Sequence, residues 1–338
     1  MGENSKKILI LLGSSRFGGG EKNALDLVRF SQTQFDVTLG IPYDSILISE
    51  LKQKHIPYIL VEYPKYPWEI YQFYQQIKPY HLIHAHLNLA CRSLTLLGPL
   101  ARPWLATMHG FSSILPYLGA NKIICVSQAL QLSLPGILKK KSTVIYNGIE
   151  ASPTLSPPNN RKKQAYVFAT IHPNKGQEFL VQSLPYWEKK LPDLQISFVG
   201  TGQHRHEMAL AAMMPKSSHI TWIKKNQNLD QYWEMADFVI IPSYKESLSY
   251  VALEAQARGI PVLSAKTGGL VESTTEWGGI LFEPGNPESL TQALIQMYSS
   301  CETLRKQLYK KPLLSSCPQF LIASMLEAIH QEWELMLR

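Results

Sequence analysis

The sequence is sparing with cysteine: four in 338 residues, at Cys91, Cys125, Cys301 and Cys317, with no CxxC pair among them. That spacing offers neither a zinc ribbon nor a dithiol redox motif. Scattered thiols of this kind fit buried side chains in a reducing compartment. No window approaches the roughly 18 uninterrupted apolar residues that a membrane-spanning helix needs. The apolar run after Lys6 and Lys7 stops at Gly13, too short for a signal-peptide core. Lys6 stands where a myristoylation motif beginning at Gly2 would need Ser or Thr. A cytoplasmic protein is therefore expected. The dinucleotide fingerprint GxGxxG is missing, because Ser14, Ser15 and Arg16 follow Gly13, and this disfavours a nicotinamide dehydrogenase. No short-period repeat is visible. Charged residues make up only 17% of the chain, with a net charge of +7. That excess suits phosphates, nucleic acid or an anionic membrane surface without choosing among them.

What is present is an alternation of strand and helix signals, twice over. A chain of 338 residues exceeds one compact core. Continuous apolar runs ending at turn residues read as buried parallel strands. In the first half these are Lys7–Leu12, Asp36–Ile41, Tyr58–Val61, His81–Ala85, Trp104–Thr107, Lys122–Val126 and Thr143–Tyr146, with helices over Glu21–Gln32 and Trp68–Ile77. Ala151–Lys163 is rich in Pro, Ser and Asn and reads as a linker. Strands then resume at Tyr166–Ala169, Gln195–Val199, Ile220–Ile223, Phe238–Ile241 and Pro261–Ser264. Helices are expected over Glu178–Lys189, Gln231–Ala236, Leu248–Arg258 and Pro287–Ser299. Repeated βα units imply parallel sheets covered on both faces. The expected α/β architecture is two doubly wound, Rossmann-like domains, 1–155 and 156–318, with a terminal helix within 319–338 packing back on the first.

In open parallel sheets, ligands bind beyond the carboxyl ends of the strands, and four stretches fall there. Gly18–Gly19–Gly20 precedes a helix, where a tight turn or close approach to the backbone suits glycine and free N–H groups suit an anion. A plain βα turn would look the same. Glu246 and Glu254 bracket a second helix start, about 12 Å apart along the axis if all of it were helical. Ser247, Leu248 and Ser249 would offer N–H groups to a phosphate there. Thr170–Gly176 carries Lys175, a point charge suited to phosphate. His109 ends a first-half strand, where an imidazole could donate to a sugar hydroxyl or a phosphate. His84 and His86 end another strand without an evident acidic or thiol partner, so a structural or cleft-lining role is favoured over metal ligation.

These stretches resemble the retaining GT-B glycosyltransferases of family four. Glu246 and Glu254, with seven residues between, match the EX7E signature, and IPSYKESLSYVALEAQARGIPVLSAKTGGLVE resembles the longest block shared within the family. FGGGEKNALDL, HLIHAH, TMHG, IICVS, VIYNGI, NKG, FVGTG and GGILFEPGNPESL follow in order. The resemblance implies a GT-B fold with its domains facing a central cleft, the first binding the acceptor and the second a nucleotide-sugar donor. It places Glu246 on hydroxyls of the transferred sugar, Glu254 on the ribose and Lys175 on the diphosphate. Gly19 and Gly20 would allow a loop to approach the donor, His109 would line the sugar pocket, and Gly200 and Gly202 would shape a turn beside the nucleotide. Ser247, Leu248, Ser249 and Thr170 complete the donor set.

Thr170 departs from the pattern, because the family usually has an arginine five residues before the lysine. A diphosphate loses one cationic partner there unless His172, Arg205 or another basic group replaces it, and a charge-assisted contact contributes about 1.5–3 kcal/mol. The sequence has no Asp-x-Asp pair, so a metal-held diphosphate is not expected and no cofactor is called for. The implied reaction moves a hexose or N-acetylhexosamine, with retention, from a nucleotide-sugar, UDP-linked by expectation, to a glycan or lipid-linked acceptor in cell-envelope polysaccharide or lipopolysaccharide synthesis. A nucleotide-sugar 2-epimerase and a donor-binding protein without turnover are the alternatives. Nucleic acid is not an expected partner. Tyr63–Trp68 and Lys139–Lys141, both in the first half, are candidates for contact with the inner membrane surface, though a solvated basic face would look alike.

Overall fold

The computed structural model describes residues 6–150, 152, 155, 163–217, 219–224, 229–310 and 317–338. Of the expected linker Ala151–Lys163, only Ser152, Leu155 and Lys163 lie within the described residues. The chain forms two compact units, Met1–Gly148 with Ile322–Arg338, and Ile149–Leu321.

The first unit is built on seven strands: β1 (Lys7–Leu12), β2 (Asp36–Ile41), β3 (Tyr58–Leu60), β4 (Leu82–His86), β5 (Trp104–Met108), β6 (Lys122–Cys125) and β7 (Ser142–Val144). They lie in the order β3-β2-β1-β4-β5-β6-β7, every neighbour parallel. β1 reads KILILL with five consecutive buried residues, as a strand covered on both faces must. The connections carry α1 (Gly19–Ser31), α2 (Ile48–Gln53), α3 (Ile70–Ile77), α4 (Leu87–Leu97), α5 (Gln128–Leu132) and α6 (Gly136–Lys139). From β1 the chain steps outward to β3, then returns to β4 and continues the other way. The loops after β1 and β4 diverge, which opens a crevice at their carboxyl ends.

The second unit repeats the plan with β8 (Lys163–Phe168), β9 (Leu194–Val199), β10 (Ile220–Ile223), β11 (Phe238–Ile241), β12 (Val262–Ala265) and β13 (Ile280–Phe282), ordered β10-β9-β8-β11-β12-β13. Its crevice lies between β8 and β11. Successive residues of β8 feed opposite faces, with Ala165 and Val167 in one core and Tyr166 and Phe168 in the other. The helices are α7 (Gln177–Gln182), α8 (Leu184–Trp187), α9 (His204–Met213), α10 (Asp230–Met235), α11 (Tyr250–Ala257), α12 (Gly269–Thr275) and α13 (Pro287–Lys310).

The C-terminal helix α14 (Ile322–Leu337) belongs to the first unit. Met325, Ile329 and Trp333 enter the same core as Ile8, Ile10 and Leu82. Trp333 is fully buried, stands edge-on to Phe35 and donates Nε1–H to His84 Nδ1 at 3.2 Å. His330 meets Ser31 Oγ at 2.8 Å.

Several elements differ from the sequence expectation. Glu178–Lys189 is two helices, because Pro185 near the start of α8 has no N–H to return to the preceding turn. Leu248–Arg258 begins as a helix only at Tyr250. The helix expected over Pro287–Ser299 runs on to Lys310. Helix α4 and the three-residue strand β13 were not expected; the first follows β4 without a polar cap, and the second is too short to show a period.

Candidate functional site

In the second unit, Lys175 and Glu246 come from loops at the two sides of the crevice. Lys175 lies in a single 3-10 turn, Pro173–Lys175, after β8; Glu246 follows β11. The two loops are tied together: Tyr244 N–H donates to Asn174 O and Asn174 Nδ2 to Lys245 O, both at 2.9 Å. Gly176 makes this approach feasible. It sits at φ +74°, and a Cβ there would stand 2.1 Å from the Pro242 carbonyl oxygen. Only glycine tolerates both the left-handed backbone and that contact. The result is an ion pair, Lys175 Nζ to Glu246 Oε2 at 2.5 Å, with Lys175 a third exposed and Glu246 largely covered.

The Glu246 backbone is held in turn from the start of α12, since its carbonyl accepts from Gly269 N–H at 3.1 Å. Thr267 Oγ1 donates to Tyr244 O at 3.1 Å. Ser247, Leu248 and Ser249 are buried, but they precede the helix rather than forming its first turn. Ser249 is the N-cap of α11, with its hydroxyl accepting from Ala252 N–H at 3.3 Å. The helix start therefore lies at Tyr250, a few residues later than the sequence reading put it. Glu254 stands half-buried on the same helix.

Gly200 and Gly202 shape the neighbouring edge. Gly200 has φ +153°, and Cβ atoms on the two would stand 2.1 Å from Ala169 O and 2.2 Å from Ile171 O. These contacts press the β9 loop against the β8 loop, where Ile171 bridges Gly202. Gly202 N–H donates to Glu207 Oε1 at 2.8 Å, which lowers that carboxyl from its ordinary value. Thr170 is exposed beside this edge. His172 lies across from His206, ring centroids 5.0 Å apart, and Arg205 Nε reaches His206 Nε2 at 3.4 Å. His206 is shifted below its ordinary value by desolvation and by the nearby Arg205 and His172. Both groups named as replacements for the missing arginine thus gather at this rim.

In the first unit, Gly20 and His109 meet at the crevice beside β1 and β4. A Cβ on Gly20 would lie 2.9 Å from Leu87 Cδ2 and 3.2 Å from His109 Cδ2, so the glycine lets α1 begin against the imidazole. Gly19, one residue earlier, is exposed. His109 Nε2 and His86 Nδ1 are 2.9 Å apart, and His86 packs on His84 with centroids at 4.4 Å. Burial pushes His84 and His109 down to about 3 and His86 well below its ordinary value, with neighbouring histidines adding to the shift of His84 and His86. All three are neutral near pH 7, so His109 offers a hydrogen bond and not a positive charge. His84 accepts from Trp333 on Nδ1, which leaves Nε2–H to face Thr107 Oγ1 at 2.7 Å. It is a framework residue. Leu87, at φ +68°, carries backbone strain where the chain turns from β4 into α4.

Tyr63, grouped with the surface aromatics in the sequence reading, is buried and donates its hydroxyl to Leu12 O at 2.9 Å. Tyr66 and Trp68 are exposed and stacked, ring planes 5° apart. They follow β3, at the carboxyl edge, whereas Lys141 immediately precedes β7, at the amino edge. The two stretches therefore do not share a face. His86, Asn174, Gly176 and Thr267 are the supporting residues to which the sequence alone assigned no contacts; a glycine directly after the lysine was the available signal for one of them.

Two parallel sheets in the 3-2-1-4 order, each with its polar residues at the strand reversal, define the GT-B class of α/β proteins. Solved structures agree on the fold: Anabaena HepE in complex with UDP-glucose superposes with a TM-score of 0.81 at 20% identity, covering 97% of this chain and 99% of that one. Residues 150–311 match the model of the glycosyl transferases group 1. An uncharacterized glycosyltransferase of Methanocaldococcus jannaschii is 27% identical over 245 residues, which are 67% of this chain and 68% of that protein. A sulfoquinovosyl transferase of Arabidopsis thaliana is 32% identical over 133 residues, 38% of this chain and 26% of that protein.

Proposed function

We propose that the protein is a retaining glycosyltransferase that takes a hexose or N-acetylhexosamine from a UDP-sugar. The observation that carries the reading is the Lys175–Glu246 pair at the β8/β11 crevice, held there by Gly176 against Pro242. In this reading the second unit binds the donor. Glu246 accepts from hydroxyls of the sugar, Lys175 neutralises the diphosphate, and Glu254 holds the ribose. The ammonium has three donors and can contact phosphate while still facing Glu246. The positive end of the α11 dipole faces developing negative charge. Arg205 and His172 stand in for the cation lost at Thr170. Gly200 and Gly202 let the β9 loop lie beside the nucleotide. HepE, whose complex contains UDP-glucose, supports the UDP choice.

The first unit would bind the acceptor, a glycan or lipid-linked glycan of the cell envelope, at the inner membrane surface. Neutral His109, with Gly20 against it, lines the sugar pocket. The acceptor hydroxyl attacks the anomeric carbon from the face the diphosphate leaves. The bond from that carbon to the diphosphate oxygen breaks, and the hydroxyl proton passes to the departing phosphate. No metal or other cofactor takes part in this reading.

The test is calorimetric binding of UDP-glucose and UDP, together with turnover. Glu254→Ala is expected to weaken UDP binding tenfold or more, since a charge-assisted contact contributes about 1.5–3 kcal/mol. Glu246→Ala is expected to leave UDP binding within a few-fold and to remove transfer. Parent-like binding and turnover in both variants would refute the assignment. A new sugar epimer formed from the UDP-sugar without acceptor would favour the epimerase instead.

A further inference from the structure

The first unit has a face on which both signs of evidence for a lipid surface coincide. From Ile70 to Ile149 the chain has no Asp or Glu, while Lys78, Arg92, Arg102, Lys122, Lys139, Lys140 and Lys141 are all basic. Of the nine strongly exposed leucines and isoleucines among the described residues, six fall in the same stretch: Leu96, Leu100, Leu115, Leu118, Leu132 and Ile137, each 46–74% exposed. A leucine left in water forfeits most of its burial free energy. A singly exposed one is ordinary, but such a concentration marks an interaction surface.

Hydrogen bonds show that these residues belong to adjoining segments. Helix α4 ends at Leu97 and continues directly into the turn Gly98–Leu100. Thr95 Oγ1 on α4 donates to Pro116 O at 2.7 Å, so the segment around Leu115 and Leu118 lies alongside that helix. Lys141 Nζ then donates to Leu118 O at 2.8 Å, bringing the end of α6 against the same segment. Gln131 Nε2 donates to Ser142 O at 3.1 Å and ties in α5. Leu100, Leu118 and Lys141 lie just before β5, β6 and β7, so the face lies toward the amino ends of these strands. Glu332 on α14 is engaged with Lys122 at 3.0 Å. Among the described residues no carboxylate pairs with Lys139, Lys140 or Lys141.

We infer that this face docks the protein on an anionic lipid bilayer, with Leu96, Leu100, Leu118 and Ile137 entering the acyl boundary and Lys139 and Lys140 meeting lipid phosphates. Nucleic acid would use the lysines and leave the leucines wet. A second copy of the chain would bring like charges together. Only an anionic interface takes up both groups at once. His86 and His109 sit at the carboxyl ends of β4 and β5. The five residues of β5 hold them about 17 Å from the amino edge. Docking and sugar chemistry are therefore separable, and the inference does not depend on the donor reading.

The experiment is flotation of the full chain with vesicles of phosphatidylcholine alone and with a third of the lipid as phosphatidylglycerol. The parent is expected to partition at least tenfold better onto the anionic vesicles and to be released by salt. Joint replacement Leu100→Ser and Ile137→Ser should lower partition about tenfold or more. Lys139→Glu with Lys140→Glu should remove about fivefold per lysine or more. Those lysines are exposed and need no core packing, so this pair stays informative if the serine variants fold poorly. Absent binding to both vesicle types, or equal binding by parent and lysine variants, would overturn the inference. So would a dimer in sedimentation velocity that the serine pair dissolves, which would assign the face to a second copy.

Discussion

Gly176 illustrates how a single residue can set a site. Its φ of +74° and the 2.1 Å gap from a would-be Cβ to Pro242 O leave no room for any side chain. The Gly176→Ala variant must therefore shift either the β8 loop or the end of β11. Strain at φ > 0 adds to a backbone clash, and the expected loss is about 2–3 kcal/mol of stability in the second unit. Nucleotide binding should fall with it, because Lys175 moves away from Glu246. Denaturant unfolding and calorimetry check the two effects. Wild-type stability in this variant would show that the contact is not needed. The sequence displayed Lys175 and Gly176 side by side, yet nothing in it showed that Pro242, 66 positions later, would fill the space a Cβ needs.

At the scale of elements, adjacent strands carry a stack of three histidines. His84 and His86 alternate along β4, and His109 follows β5. Their rings touch in sequence, with centroids 4.4 and 5.1 Å apart. Burial holds His84 and His109 near 3, against an ordinary value of about 6.5 in the unfolded chain. Between those values the unfolded state binds more protons than the folded one. Stability therefore rises with pH across that window and falls on acidification. The expected loss is about 2 kcal/mol per histidine between pH 7 and pH 5. Denaturation midpoints at pH 7, 6 and 5 measure it. His84→Asn keeps an acceptor for Trp333 and cannot titrate, so its pH dependence should be shallower by one such share. An unchanged slope would mean that His84 is not held neutral.

The whole molecule is two sheets of the same winding, with the chain's end returned to the first. Helix α14 supplies Met325, Ile329 and Trp333 to the core that β1 and α1 build. A fully buried tryptophan with a hydrogen bond to His84 is a large part of that packing. Trp333→Ala should cost about 3–5 kcal/mol, all of it in the first unit. Scanning calorimetry should show the first unit's transition falling while the second unit's transition stays in place. A uniform shift of both would mean that the units unfold as one.

The sequence by itself determined the winding. Apolar runs such as KILILL can be satisfied only by burial on both faces, and their alternation with helices demands parallel sheets, so the α/β class and most strands were legible. It also displayed Glu246, Glu254 and Lys175 through their order and spacing. Short elements were not legible: β13 has three residues, and the break before α8 turns on one missing N–H at Pro185. Only the tertiary structure decided that Ser249 caps α11, that Lys175 faces Glu246, that His109 is neutral, and that Tyr63 is inside while Leu100, Leu118 and Ile137 lie on one basic face. Each of these depends on which distant segments come into contact, and pattern and period along the chain carry no information about contacts between residues far apart in it.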